Sequence, residues 1–188
     1  MLPKRLILAS ASPRRIELLR EGGLEFESFP SDAREIQNEQ LTARELCQVN
    51  AYRKARAIAK KFPDALVLGA DTLVSLDNEV FGKPSDLAEA QLMLNKLQGH
   101  IHQVLTGVCF IHLREHRQRL FAETTEVQFK RLGAREIRDY VTKVNTLDKA
   151  GAYAIQENGG ELVDEVFGSY SNVVGLPMER VGMELRNW

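Results

Sequence analysis

The fold is decided by residues 5–23, which read RLILASASPRRIELLREGG. An apolar run of strand length, Leu6 to Ala9, is cut off there by small and hydroxylated residues. Ser12 is a suitable N-cap, and Pro13 fits the first helical position, where its missing N–H costs nothing. Gly22-Gly23 can close the helix. The stretch therefore predicts a strand, a tight turn and a helix.

The first turn of this helix carries two arginines, Arg14 and Arg15. The helix dipole is already positive there, so two cations are unfavourable unless an anion binds beside them. Backbone N–H groups, the hydroxyls of Ser10 and Ser12 and two guanidiniums are groups that bind a polyphosphate. The alternative is an ordinary capped helix with its arginines in solvent, and the segment alone leaves both open.

Composition limits the classes of protein that fit. The 188 residues are long enough for one domain with a substantial core, or for one lobed domain with a cleft, and we expect a single domain, residues 1–188. The composition, 44% hydrophobic and 27% charged, is that of an ordinary globular protein. A net charge of -1 gives no general attraction to nucleic acid or to a membrane, so any anion site must be local. No apolar leader follows Met1 and no run approaches a membrane span, so we expect a cytoplasmic protein. Cys47 and Cys109 are expected to be reduced core residues.

The rest of the chain shows strand and helix patterns in turn. Helices are predicted from the Thr42 capping box to Phe62, after Ser85 or Asp86 to Gly99, over Arg131 to Val141, and from Pro177 onward. Strands are predicted at 24–29, at 65–76 with a hairpin return at 80–81, and at 101–113 and 120–129. The glycine-rich tract 148–177 predicts turns between short strands.

Three positions in these elements are candidates for chemistry. Asp71 follows the buried-strand run ALVLGA, and an acid at the end of such a strand is a candidate catalytic group. Lys83 lies between Gly82 and Pro84, so its backbone is fixed while one side stays open to a ligand. Glu35 lies in a polar loop, residues 30–40.

Together the unusual positions are the ingredients of nucleotide polyphosphate chemistry. They are the cations Arg14, Arg15, Lys54 and Lys83, the acids Glu35 and Asp71, and the amide Gln156. Cations neutralise phosphate oxygens, acids hold a divalent metal and orient water, and an amide reads a base edge. Each also has an ordinary explanation, as a loop carboxylate, a solvated helix face, a strand-end cap or a turn former.

The chain resembles the Maf family. The segments that carry the resemblance, in the family's order, are SASPRR, LGADTLV, GKP, LDKAGAYAIQ and GSYSNVVGLP, between Leu6 and Pro177. The resemblance implies a nucleoside triphosphate pyrophosphatase that yields a nucleoside monophosphate and pyrophosphate with a divalent metal, Mg²⁺, Mn²⁺ or Co²⁺. It also implies an α/β fold, an elongated mixed sheet flanked by helices around a central cleft, shared with the inosine triphosphate pyrophosphatases.

The resemblance assigns roles to individual residues. Asp71 is implied as the proton acceptor and Glu35 as its partner, and both as metal ligands. Phosphate contacts are implied for Ser10, Arg14, Arg15, Lys54 and Lys83, and substrate choice for Arg14, Thr72 and Gln156. Arg14, Asp71-Thr72 and Ile155-Gln156 resemble the branch that acts on dTTP and UTP, with modified pyrimidine nucleotides as further candidates. Glu157 departs from the family's IQG pattern.

Other functions stay open. One is a nucleotide-binding regulator of septum formation with little turnover, and another is a family enzyme that prefers 7-methylguanosine triphosphate. The two carboxylates favour an enzyme, since a pure binder of a polyanion gains nothing from them. Nucleic-acid binding through the basic helix 42–61 is disfavoured by the near-neutral charge. We expect a small-molecule substrate and no membrane partner, and a homodimer is left open.

Overall fold

The computed structural model describes residues 5–38 and 40–188. Residues 1–4 and Glu39 lie outside the described residues. The expectation that no apolar leader follows Met1 falls partly on residues 1–4, and Glu39 belongs to the predicted polar loop. None of the helices in the described ranges combines the length and the apolar character that crossing a membrane requires.

In the described residues seven strands form one mixed sheet. They are β1 (Leu6–Leu8), β2 (Glu27–Ser28), β3 (Leu66–Leu76), β4 (Glu79–Phe81), β5 (Ile101–His112), β6 (Arg117–Phe129) and β7 (Val163–Phe167). The order is β2-β1-β3-β5-β6-β7, with β4 paired to β3. The strand β1 is parallel to β2 and β3, whereas β3, β5, β6 and β7 pair antiparallel. The expected mixed α/β sheet is confirmed.

Helices flank this sheet. They are α1 (Pro13–Glu21), α2 (Ala43–Ala59), α3 (Leu87–Leu97), α4 (Ala134–Lys143), α5 (Gly159–Leu162), α6 (Tyr170–Val174) and α7 (Met178–Arg186), with a 3₁₀ turn at Ala150–Ala152. The predicted capping box at the start of α2 is confirmed, because Thr42 Oγ1 accepts from the Glu45 N–H at 3.2 Å and the Glu45 carboxylate accepts from the Thr42 N–H at 2.9 Å.

Two local predictions were wrong. Ser12 stands at the N-cap of α1, as predicted, but its hydroxyl makes no capping hydrogen bond; its N–H donates to Ser10 Oγ at 3.2 Å. The glycine-rich tract forms the 3₁₀ turn, α5 and α6, and only β7 is a strand. Gly151, Ala152 and Asn158 have φ of 69°, 63° and 54°, and this left-handed backbone interrupts an extended chain.

Helix α2 lies directly on the sheet because two facing residues lack a side chain. A Cβ on Gly69 of β3 would lie 2.5 Å from Ala51 O, and one on Gly107 of β5 would lie 2.4 Å from Cys47 O. Only glycine allows this approach. Cys47 and Cys109 are free and buried, as expected, and burial raises the pKa of each thiol to about 12.

A gap in strand pairing opens the sheet beside β3. Pairing with β1 ends at Leu68, and pairing with β4 begins at Val74. In the described chain, residues 69–73 of β3 therefore have a strand neighbour only on the β5 side. Asp71 lies in this gap. It directly follows the buried run that ends at Ala70, and β3 continues past it to Leu76, so the strand predicted at 65–76 is confirmed.

Candidate functional site

A cleft of about 410 Å³ opens at the gap in the sheet. It is lined by all nine residues that the sequence singles out: Ser10, Arg14, Arg15, Glu35, Lys54, Asp71, Thr72, Lys83 and Gln156. They come from the β1–α1 turn, the loop before α2, α2 itself, β3, the β4–α3 loop and the glycine-rich tract. The fold thus brings together residues that are up to 146 positions apart in the sequence, from Ser10 to Gln156.

Two carboxylates share one ammonium at the floor of this cleft. Lys54 Nζ donates to Glu35 Oε1 and to Asp71 Oδ1, each at 2.6 Å. The side chains of Lys54 and Asp71 are 14% and 6% exposed, whereas that of Glu35 is 45% exposed. Burial strengthens these interactions relative to an ion pair at the surface. The three groups together carry one net negative charge, which suits a cation or a water molecule.

Asn50 completes this arrangement and was missed by the sequence analysis. Its Nδ2 donates to Asp71 Oδ2 at 3.3 Å and to Ile36 O at 3.2 Å, while its Oδ1 accepts from the Ile36 N–H at 2.8 Å. It therefore ties the loop that carries Glu35 to the strand that carries Asp71. The available signal was its spacing, because Asn50 and Lys54 are four residues apart and share one face of α2.

The surroundings shift the pKa values of the two carboxyls in opposite directions. Burial raises the pKa of Asp71, and the Glu35 charge adds to this, although Lys54 and Arg15 oppose it. Burial also acts against ionisation of Glu35, but Lys54 and Lys83 outweigh it and lower the pKa of that carboxyl. The pKa of Asp71 is therefore above, and that of Glu35 below, the usual value for its residue type. A carboxyl of raised pKa beside one that stays ionised is the pattern of a general base with an electrostatic partner.

These pKa directions predict the acid limb of the pH profile. Activity that needs ionised Asp71 is lost as the pH falls through its raised pKa, above the ~3.9 of an ordinary aspartate. In Asn50→Ala the ionised carboxylate loses a donor, so the limb of kcat/KM should move further toward neutral pH. The control is Asn95→Ala, a substitution at an exposed position of α3. An acid limb that stays in place in Asn50→Ala would contradict the assignment.

Arg15 is bound to the protein on every side of its guanidinium. Nε donates to Gly175 O at 2.8 Å, Nη1 to Ala70 O at 3.0 Å, and Nη2 to Thr72 Oγ1 at 2.9 Å. Nη1 also lies 3.4 Å from Ser10 Oγ. Ala70 is in the unpaired stretch of β3, so Arg15 supplies a donor where a strand neighbour is missing. Its position serves the architecture of the cleft, and its implied phosphate contact stays a prediction.

Thr72 belongs to a buried polar network. Its Oγ1 lies 2.9 Å from Thr106 Oγ1, which in turn donates to Asn172 O at 3.2 Å. The Asn172 Nδ2 donates to Val104 O and to Thr125 Oγ1, each at 3.0 Å. This network joins the middle of β3 to the GSYSN segment across β5. Any effect of Thr72 on substrate choice is therefore expected to act through this network.

The remaining predicted contacts line the rim of the cleft and are accessible to a ligand. Lys83 and Gln156 are exposed, and Arg14 is half-buried with Nη2 3.4 Å from Asp148 O. The loop before Lys83 is held by the Gly151 N–H, which donates to Gly82 O at 3.0 Å. The rim thus presents two cations and one amide to a ligand.

Glu157 has a partner that the sequence analysis did not foresee. Its Oε1 lies 3.3 Å from Nζ of Lys149, a residue whose side chain is only 3% exposed. The same ammonium donates to Asp148 Oδ1 at 2.9 Å. Lys149 therefore offsets one of the two carboxylates, and the group as a whole keeps one net negative charge beside Gln156.

Glu35 and Asp71 fit a divalent metal in part. In residues 5–38 and 40–188 no three His, Cys, Asp or Glu side chains come together as a ligand set. Mg²⁺, however, is commonly held by one or two carboxylates together with water and substrate phosphates. The carboxylates of Glu35 and Asp71 are hard oxygen donors of this kind, and they are close enough to share one cation, as Lys54 shows.

Fold and site together define a class. The protein is an α/β protein whose mixed sheet is interrupted by a cleft that carries two carboxylates and a rim of cations. The Maf-like protein family model matches residues 5–188. The chain belongs to the Maf family, and the resemblance of the motifs is confirmed.

Curated relatives cover almost the whole chain. A dTTP/UTP pyrophosphatase of Alkaliphilus oremlandii is 44% identical over 98% of this chain and 96% of its own length. One of Symbiobacterium thermophilum is 46% identical over 94% and 90%, and one of Clostridioides difficile is 41% identical over 97% and 94%. A HAM1 protein from Coxiella burnetii has a similar fold, with a TM-score of 0.52, 17% identity and full coverage of both chains.

Proposed function

We propose that this protein is a nucleoside triphosphate pyrophosphatase that hydrolyses dTTP and UTP to the monophosphate and pyrophosphate. The observation that carries the proposal is the Glu35–Lys54–Asp71 cluster at the floor of a cleft with a cationic rim. The names of the relatives, which share 41% to 46% identity over nearly the full chain, support the substrate. We infer that residues 1–188 act as one domain.

We propose a task for each group in the cleft. Lys83 and Arg14 neutralise phosphate oxygens from the rim, and Ser10 adds a hydroxyl at the β1–α1 turn. Asp71 orients a water molecule for attack on the α-phosphorus and accepts its proton, while Glu35 stays ionised beside it. A divalent cation held by Glu35 and Asp71 would neutralise phosphate charge and make the water more acidic.

Assays of the purified protein test the proposal. The substrates are dTTP, UTP, CTP, GTP and 7-methylguanosine triphosphate, each with Mg²⁺, Mn²⁺ or Co²⁺, and pyrophosphate is scored separately from phosphate. Pyrophosphate release with dTTP and UTP supports the proposal. Tight nucleotide binding without turnover would favour the regulator, and preference for the methylated guanosine nucleotide would favour the other branch.

Gln156 is proposed to read the base. Its amide can pair with the O4 and N3–H edge of thymine or uracil, whereas cytosine presents the reverse pattern. Gln156→Ala should reduce kcat/KM for dTTP and UTP by about tenfold, the effect of one lost polar contact, and leave CTP almost unchanged. Gln118→Ala, an exposed position on β6, is the control. If the variant keeps its full preference over CTP, the base is read elsewhere.

A further inference from the structure

The Lys54 ammonium engages both carboxylates at the floor of the cleft. Its Nζ lies 2.6 Å from Glu35 Oε1 and 2.6 Å from Asp71 Oδ1. The second Asp71 oxygen, Oδ2, accepts from Asn50 Nδ2 at 3.3 Å. Both oxygens of Asp71 therefore have protein donors, and Lys54 Nζ lies where a cation that bridges the two carboxylates would lie.

An ammonium and a divalent ion cannot share this position. Mg²⁺ requires its oxygen ligands at roughly 2.0–2.1 Å, closer than the 2.6 Å contacts that Lys54 makes. Two cations a few ångströms apart in a buried site also repel each other strongly. Entry of the metal therefore requires the Lys54 ammonium to leave at least one carboxylate, and a charged group with a largely buried side chain needs another anion when it does so.

We propose, resting on the proposed function, that Lys54 is a built-in counter-cation that keeps a divalent ion out of the Glu35–Asp71 pair until a triphosphate binds. Phosphate oxygens in the cleft then receive the ammonium, and the carboxylates are released to the metal. Metal and nucleotide bind with positive cooperativity as a result. The protein alone binds the divalent ion weakly.

Lys83 provides a matched control for this proposal. It lines the same cleft and has the same charge, and its charge lowers the pKa of Glu35 through space. It is exposed, whereas the Lys54 side chain is 14% exposed and hydrogen-bonded to both acids. Removal of Lys83 therefore measures the general effect of one fewer cation in the cleft, and any additional effect at Lys54 reports direct competition for the carboxylate oxygens.

The decisive measurement is a titration of the full chain with Mn²⁺ in the absence of nucleotide. The electron paramagnetic resonance signal of the free ion reports how much Mn²⁺ is bound. Lys54→Met should bind Mn²⁺ about tenfold more tightly than the unmodified protein, and Lys83→Met less than about threefold more tightly. Addition of α,β-methylene-dTTP should tighten Mn²⁺ binding to the unmodified protein by about tenfold. The same addition should tighten Mn²⁺ binding to Lys54→Met by clearly less. Both values are corrected for the Mn²⁺ that the analogue binds by itself.

Equal Mn²⁺ affinity in Lys54→Met and the unmodified protein, or equal gains in the two lysine variants, would overturn the proposal. Circular dichroism checks the fold, and Lys54→Arg, which keeps the charge, should bind Mn²⁺ as weakly as the unmodified protein. Tight Mn²⁺ binding by Lys54→Arg would likewise count against competition. The measurement needs no turnover. If Lys54→Met binds Mn²⁺ more tightly but the unmodified protein does not hydrolyse dTTP, the proposed function is refuted and the role of Lys54 stands.

Discussion

Asp71→Asn is expected to lower kcat with dTTP by on the order of 10² or more while leaving the fold intact. Asparagine has nearly the same shape, and its carbonyl oxygen can still accept the hydrogen bond that Lys54 donates at 2.6 Å. It cannot take a proton from water, and it is a far weaker metal ligand. The loss should therefore fall on the chemical step. Because the cleft loses one negative charge, we expect no rise in KM.

Steady-state kinetics with pyrophosphate detection measure this effect, and thermal unfolding checks the fold. Asp77→Asn is a suitable control, because Asp77 lies in the exposed turn between β3 and β4 and its φ of 49° is one that asparagine also adopts. Near-normal kcat in Asp71→Asn would end the assignment of Asp71 as the proton acceptor, whatever the control does.

Local patterns predicted the elements that carry the site. The apolar run before Ser10, the capping box at Thr42 and the turn at Asp77-Asn78 are each read within a few residues, and β1, α2 and the β3–β4 hairpin follow from them. The glycine-rich tract was harder. One of its turns has left-handed backbone at Ala152, and alanine, unlike asparagine or glycine, gives no sign in the sequence of such a conformation.

The gap beside Asp71 could not be predicted from the sequence. It exists because β1 stops pairing with β3 at Leu68 and β4 starts at Val74, and pairing of distant strands is set by the whole sheet. Thr106 was missed for the same reason, because it reaches Thr72 across the β3–β5 pairing from 34 residues away. Asn50 was missed because its contact with Asp71 joins α2 to β3 over 21 residues. Residue type alone identified the charged members of the site but not the neutral groups that orient them.

Arg15→Ala is expected to lower the free energy of unfolding by about 3 kcal/mol, and Arg14→Ala by less than about 1 kcal/mol. The two arginines are neighbours in the first turn of α1, but only Arg15 is buried. Its removal leaves Ala70 O and Gly175 O without their guanidinium donors, and a buried acceptor without a partner costs about 1–3 kcal/mol. Arg14 is half-buried, and its one side-chain hydrogen bond within residues 5–38 and 40–188 is a 3.4 Å contact to Asp148 O.

Urea unfolding of the two alanine variants separates an architectural arginine from a phosphate ligand. If Arg15 mainly holds the open edge of β3, its loss should reduce stability and also lower kcat/KM for every triphosphate alike, because Asp71 and Thr72 directly follow Ala70 in the loosened strand segment. Arg15→Lys should recover little of this stability, since an ammonium cannot reproduce the forked donors that reach Gly175, Ala70 and Thr72 together. A variant Arg15→Ala with unchanged unfolding but weakened triphosphate binding would show instead that the guanidinium turns toward the ligand, as the family resemblance implies.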